Sequence, residues 1–127
     1  MANQEQLDLL WQGVAEEWNS WRQFHPDLLI DLDGADLSEW SLGGFNLAGA
    51  HVRGAQLIRA DLNHANLSTA LFTEANLSEA NLASADLSDA DFSGATMSHA
   101  DLRDANRNGT RLTDEQLEQA QAGAFLS

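Results

Sequence analysis

Large apolar residues recur at every fifth position over most of this chain. The centres run Leu32, Leu37, Leu42, Leu47, Val52, Leu57, Leu62, Leu67, Phe72, Leu77, Leu82, Leu87, Phe92, Met97 and Leu102, and after Arg107 the series ends at Leu112. Two residues before each centre lies a second repeated position, alanine without interruption from Ala50 to Ala105. The residue between is mostly Asp or Asn, as at Asp61, Asn66, Asn76, Asn81, Asp86, Asp91 and Asp101, and Ser, Thr or Gly often follows the centre. A helix advances about 100° per residue, so centres five apart spiral around it and share no face. A strand alternates its side chains, and five is odd, so successive centres of a flat strand point to opposite faces. Within one repeat, however, alanine and centre are two apart, and a short extended segment puts both on one side. The chain must therefore turn a corner in every repeat. Asp, Asn, Ser and Gly suit those corners because they tolerate turn conformations and hydrogen-bond nearby backbone.

The units Ala75 to Glu79 (Ala-Asn-Leu-Ser-Glu) and Ala85 to Asp89 (Ala-Asp-Leu-Ser-Asp) resemble those of the pentapeptide repeat family, and the likeness covers about two-thirds of the chain. The resemblance implies an all-β solenoid, a right-handed quadrilateral β-helix with four pentapeptides per coil and about four coils. Units four apart then stack in four columns. The first is Leu32, Val52, Phe72, Phe92 and Leu112; the second Leu37, Leu57, Leu77 and Met97; the third Leu42, Leu62, Leu82 and Leu102; the fourth Leu47, Leu67, Leu87 and Arg107. The expected organisation is a capping helix and linker over residues 1–29, the β-helix over 30–112, and a C-terminal helix and tail over 113–127.

The flanks follow helical rather than fivefold spacing. Leu7, Leu10, Trp11, Val14, Trp18 and Trp21 recur at three and four, which predicts one amphipathic helix from Asn3 to Phe24. Asn3 with Gln6 has the form of a capping box, and Pro26 ends the element. Ile30, Trp40 and Phe45 occupy alanine positions in the first coil, which suits a bulky junction with that lid. Terminal repeats of a solenoid need such caps. Thr113 with Gln116 forms a second capping box. The helix it opens presents Leu117, Ala120 and Ala124, and Gly123 is its expected stop. Phe125 and Leu126 then either cover the lower end or face a second subunit, so a homodimer through this helix is one expectation.

The formal net charge is −14, with arginine as the only basic type besides histidine. Such a surface repels phosphate backbones and anionic lipid, so direct nucleic-acid or membrane binding is not expected. There are no cysteines, which excludes disulfides and thiolate metal sites and fits a cytoplasmic protein. The N-terminus lacks the pattern of a signal peptide. No apolar run approaches the roughly 20 residues of a membrane helix.

Catalysis requires converging groups. His51, His64 and His99 fall in three different columns and cannot share a metal. Ser98, His99 and Asp101 lie close in sequence, but residues around one corner splay outward and form no triad. Asp31, Asp33, Gly34 and Asp36 lack the order of a calcium loop. No glycine-rich phosphate loop is present. The chain therefore reads as non-catalytic, with no cofactor and no metal. Ile58 and Leu71, apolar residues on the polar exterior, are candidate contact points, as are Leu117, Phe125 and Leu126. The functional expectation is a protein-interaction or scaffold module with an unidentified protein partner. The resemblance also implies an alternative. Some family members, the quinolone-resistance proteins, are acidic rods that occupy the DNA-binding saddle of DNA gyrase, a topoisomerase. Here Asp31, Asp33, Glu74 and Asp91 lie on one column, Asp36, Glu39 and Glu79 on another, and Asp61, Asp101 and Asp104 on a third, rather than along one line.

Overall fold

The computed structural model describes residues 2–120. Three helices flank a coiled central region: α1 (Gln4–Trp11), α2 (Ala15–Phe24) and α3 (Asp114–Gln119). Between them the chain makes parallel bridges that link each position before a centre to the one 20 residues on, from Asp31 with His51 to Asp91 with Arg111. Four five-residue units thus complete one coil. Each bridge is isolated, because a corner consumes most of every unit and leaves no room for a longer strand.

One unit shows why the repeat has this composition. In Asn66 to Ala70 all five backbone N–H groups are satisfied. Asn66 donates up to Phe45 O (3.0 Å), while Leu67 and Thr69 donate down to Asp86 O (2.8 Å) and Ser88 O (2.9 Å). Ala70 closes the corner on Leu67 O (3.1 Å). The remaining donor, Ser68 N–H, faces neither coil, and the Asn66 side chain accepts it at 3.0 Å. Asp or Asn before the centre supplies this last acceptor, and the same bond recurs at Asp61, Asn76, Asn81, Asp86, Asp91 and Asp101. A buried backbone donor left without a partner is costly, so the position is selected by accounting rather than by solubility.

The third residue of each corner has positive φ, as at Gly34 (73°), Thr69 (60°), Glu74 (61°) and Asp104 (62°). That is the pattern of a type II turn. Side chains with a Cβ are strained there, and Thr, being β-branched, more than most.

Inside, the centres from Leu32 to Leu102 and the alanines from Ala50 to Ala100 are buried. All the expected core residues are included: Leu37, Leu42, Leu47, Leu57, Leu62, Leu67, Phe72, Leu77, Leu82, Leu87, Phe92, Met97 and Leu102. Phe72 stacks on Phe92 with ring centroids 4.9 Å apart and planes 4° from parallel, close to the roughly 4.8 Å between adjacent strands. A guanidinium at the Arg107 centre calls either for a bulged strand or for a side chain that reaches the end of the rod, and the second is found. Its coil keeps register, with Asn106 bridged to Asp86, and the half-buried arginine lines an opening at the lower end.

The flanks depart from expectation in three ways. The single N-terminal helix is two helices, broken at Gly13, whose φ of 72° is left-handed. One straight helix cannot lie over both edges that the two pieces cover. The Asn3–Gln6 capping box is half made. Asn3 accepts the Gln6 N–H at 3.1 Å, but the Gln6 side chain reaches the first coil instead. Finally, α3 stops at Gln119 rather than near Gly123; Ala120 is extended (φ −80°, ψ 154°), and Gln119 O accepts the His99 N–H at 2.8 Å.

Candidate interaction surfaces at the ends of the solenoid

The ends of a β-helix expose backbone groups that interior coils pair, and side chains of the flanking helices satisfy part of them here. At the upper end, Asn3 N–H donates to Asp31 O at 2.8 Å. Gln6, buried, accepts the Asp31 N–H with Oε1 and donates Nε2 to Leu29 O, both at 2.8 Å. The fourth edge is held by α2. Asn19 Oδ1 accepts the Asn46 N–H (2.7 Å), and its Nδ2 donates to Gly44 O (3.0 Å). Trp18 Nε1 and Arg22 Nη1 both donate to Asn46 O at 2.8 Å, and Arg22 Nη2 donates to Ala48 O at 3.1 Å. Burial lowers the Arg22 pKa, and its buried Nε has no partner. Trp18 also stacks on Phe45, centroids 6.3 Å apart.

The lower end uses the same device. Gln116, buried, completes the Thr113 capping box and donates Nε2 to Phe92 O (2.8 Å) and Ala95 O (2.9 Å). Gln6 and Gln116 are the buried polar residues of the described region. Sequence reasoning read each only as a helix cap. Asn19 and Arg22 were not singled out, since no local pattern distinguishes an edge-capping polar side chain from a solvated one.

The expected lid residues divide. Leu10, Trp18 and Phe45 are buried, and Leu7, Trp21 and Trp40 are partly buried. Trp11 and Val14 are instead exposed, at 67% and 44%, because the break at Gly13 turns them away from the coil. Trp11 still touches Trp40, with centroids 5.1 Å apart. Phe24, Leu28 and Leu29 are exposed as well, so the large exposed apolar residues of the described region all precede Ile30. Ile58 and Leu71 are half-buried in the rod wall. Leu117 is partly buried and Ala120 buried against the rod. Ala124, Phe125 and Leu126 lie outside the described residues.

On the rod faces three arginines pair with acids. Arg53 grips Asp33 (Nη2 to Oδ2 2.6 Å), Arg103 grips Asp101 (2.7 Å), and Arg59 lies 3.4 Å from Glu39 and 3.6 Å from Glu79. The guanidinium of Arg53 holds Asp33 below the usual carboxylate range, and that of Arg103 does so for Asp101. Asp86 and Asp91 are lowered chiefly by the hydroxyls of Ser88 and Ser93, which donate to them at 2.7 and 2.6 Å. The candidate triad does not assemble. His99 and Asp101 border one cleft and Ser98 another, while Asp101 is engaged by Arg103. Among the described residues no cluster of His, Asp and Glu is arranged to hold a metal, and no helix is long and apolar enough to cross a membrane.

These features define a parallel β-helical solenoid of five-residue units with side-chain-capped ends. The profile of pentapeptide repeats matches residues 30–68 and 70–109 in eight copies, and the chain belongs to the pentapeptide repeat family, whose members form right-handed quadrilateral β-helices. Among solved structures, the pentapeptide repeat protein Rfr23 from the cyanobacterium Cyanothece 51142 is 31% identical with a TM-score of 0.63, over 66% of this chain and 57% of that one. This chain thus spans little more than half of Rfr23. The pentapeptide repeat protein alr5209 from Nostoc Pcc 7120 is 36% identical with a TM-score of 0.56, over 73% of both chains. No curated protein matches the sequence.

Proposed function

We propose that this chain is a non-catalytic protein-interaction or scaffold module that recognises its partner through an end of the rod. The observation that carries this reading is the placement of Trp11, Val14, Phe24, Leu28 and Leu29. All are exposed, and all lie on the N-terminal cap. Exposed aromatic and aliphatic residues gathered in one region mark binding surfaces more often than scattered ones do. Among the described residues the rod walls carry no exposed large apolar side chain, Ile58 and Leu71 being half-buried. The absence of cysteine fits a cytoplasmic setting. The test is affinity capture from the native lysate with the wild-type chain and with a Trp11→Ala, Phe24→Ala variant. A partner retained by the first and lost by the second supports the reading; equal capture refutes it.

The DNA-mimic reading ranks second. The overall charge of −14 favours it. Against it, Arg53, Arg59 and Arg103 interrupt the acids on three faces and pair with them. A supercoiling assay with purified gyrase separates the two. Inhibition at micromolar protein, lost when Asp86 and Asp89 are neutralised, would reverse the ranking.

A further inference from the structure

Trp11 and Trp40 pair at the upper end outside the hydrogen bonds that cap it, which come from Asn3, Gln6, Trp18, Asn19 and Arg22. Trp11 is 67% exposed, although an indole is among the largest apolar surfaces a chain can bury. Trp40 stands where the coils below have Ala60, Ala80 and Ala100, and it is only partly buried. The ring centroids are 5.1 Å apart and the planes are tilted by 59°, so the rings do not cover each other face to face. Together with Glu39 and the backbone turn at Gly13 they line a cleft of about 370 Å³. Gly13 and Glu39 both have left-handed φ, 72° and 65°, so two backbone turns shape the cleft.

The charge at this place is negative. Glu39 is the charged residue of the cleft, with its side chain 68% exposed. Arg59 lies 3.4 Å from Glu39 and 3.6 Å from Glu79, so one guanidinium serves two carboxylates and the trio stays acidic. Glu16 and Glu17 follow in the first turn of α2, just after the break. The chain has six arginines and no lysine. Arg22 is bound to carbonyls under the lid, Arg53 to Asp33 and Arg103 to Asp101. Arg59 is shared as above, and Arg107 and Arg111 belong to the last coil at the other end. Residues 121–127 contain no basic side chain. An arginine or lysine that fills the cleft therefore comes from another molecule.

We propose that this cleft binds an arginine side chain of a basic partner protein, the guanidinium lying against the indole of Trp11 and reaching the Glu39 carboxylate. Aromatic faces attract cations through the ring quadrupole, and indole does so most strongly. Arginine fits better than lysine, because its flat guanidinium stacks on a ring while its N–H groups bond a carboxylate. The net charge of −14 steers a basic segment inward and disfavours a second copy of this chain. The proposal rests on the reading of the N-terminal cap as the recognition surface and adds the chemistry of what that surface recognises.

The probe is a capped pentapeptide, Gly-Ser-Arg-Ser-Gly, titrated into the full-length isotopically labelled chain at physiological salt, where exposed charges are screened beyond about 8 Å. Controls replace Arg by citrulline, which keeps the shape without the charge, or by Lys. The indole N–H signals of Trp11 and Trp40 should shift, while that of Trp18, bound to Asn46 O, stays in place. Citrulline should weaken binding about tenfold and Lys about threefold. Trp11→Leu should cost about tenfold and Glu39→Gln about threefold, both with an unaltered fold by circular dichroism. Silence of both indoles at millimolar Arg peptide overturns the proposal, as does equal binding of the citrulline peptide or equal binding by the Trp11→Leu chain. If the peptide is silent while the Trp11→Ala, Phe24→Ala variant loses a captured partner, the interaction reading stands and the arginine assignment falls. If capture is also unchanged, both fall.

Discussion

Gln6→Met tests the capping argument without making a cavity. Methionine keeps the length and approximate volume of glutamine, so the packing loss is small. Lost are two hydrogen bonds at 2.8 Å, to the Asp31 N–H and from Nε2 to Leu29 O, at a residue only 1% exposed. Removing one partner of a buried pair leaves the other unsatisfied at about 1–3 kcal/mol. Leu29 is half exposed, so water recovers part of its carbonyl, whereas the Asp31 N–H points under the lid. The expected loss is therefore about 2–4 kcal/mol, against less than about 0.5 kcal/mol for the exposed Gln4→Ala. Urea denaturation gives the global figure from the midpoint, provided the slope is unchanged. A solenoid can also fray from one end, because each repeat contacts only its neighbours. Native-state hydrogen exchange at Asp31 therefore gives the local figure. A Gln6→Met protein with unchanged midpoint and unchanged Asp31 protection would show that the first coil needs no polar cap, and the same argument for Gln116 would fail with it.

Leu77→Ala, in the middle of the second column and fully buried, should cost about 2–5 kcal/mol because the rigid coils above and below cannot close the cavity; Ser98→Ala should stay within about 0.5 kcal/mol, and equal losses by urea melting would contradict the register. Thr69→Gly should stabilise by about 0.5–1 kcal/mol, since relief of the strained φ of 60° exceeds the added freedom of the unfolded glycine; a lower midpoint would refute this. The carboxyls of Asp86 and Asp91 have folded pKa values below their ordinary ones. Their contribution is thus complete above the unfolded pKa of about 3.9 and is lost as pH falls through the folded values. Asp86→Asn with Asp91→Asn keeps the corner acceptor but cannot be protonated, so its acid-unfolding midpoint should move to lower pH; an unmoved midpoint would show that these carboxyls do not control acid stability.

The sequence alone determined the solenoid, because a fivefold apolar period admits neither a helix face nor a flat strand and only cornered coils bury alanine and centre together. The fourfold register was implied by the resemblance to the pentapeptide repeat family, with Phe72 and Phe92 falling in one column, whereas the Thr113 capping box follows from spacing along the chain. The role of Asp and Asn before each centre was legible as turn chemistry, though the particular N–H they satisfy was not. What only the tertiary structure decided lies at the ends. Gly13 breaks the lid because two separate edges must be covered, which no helical periodicity records. That break leaves Trp11 exposed and Trp18 buried, although both occupy the same predicted stripe. Gln6, Asn19, Arg22 and Gln116 close the backbone of a coil that is near in space and 20 or more residues away in sequence.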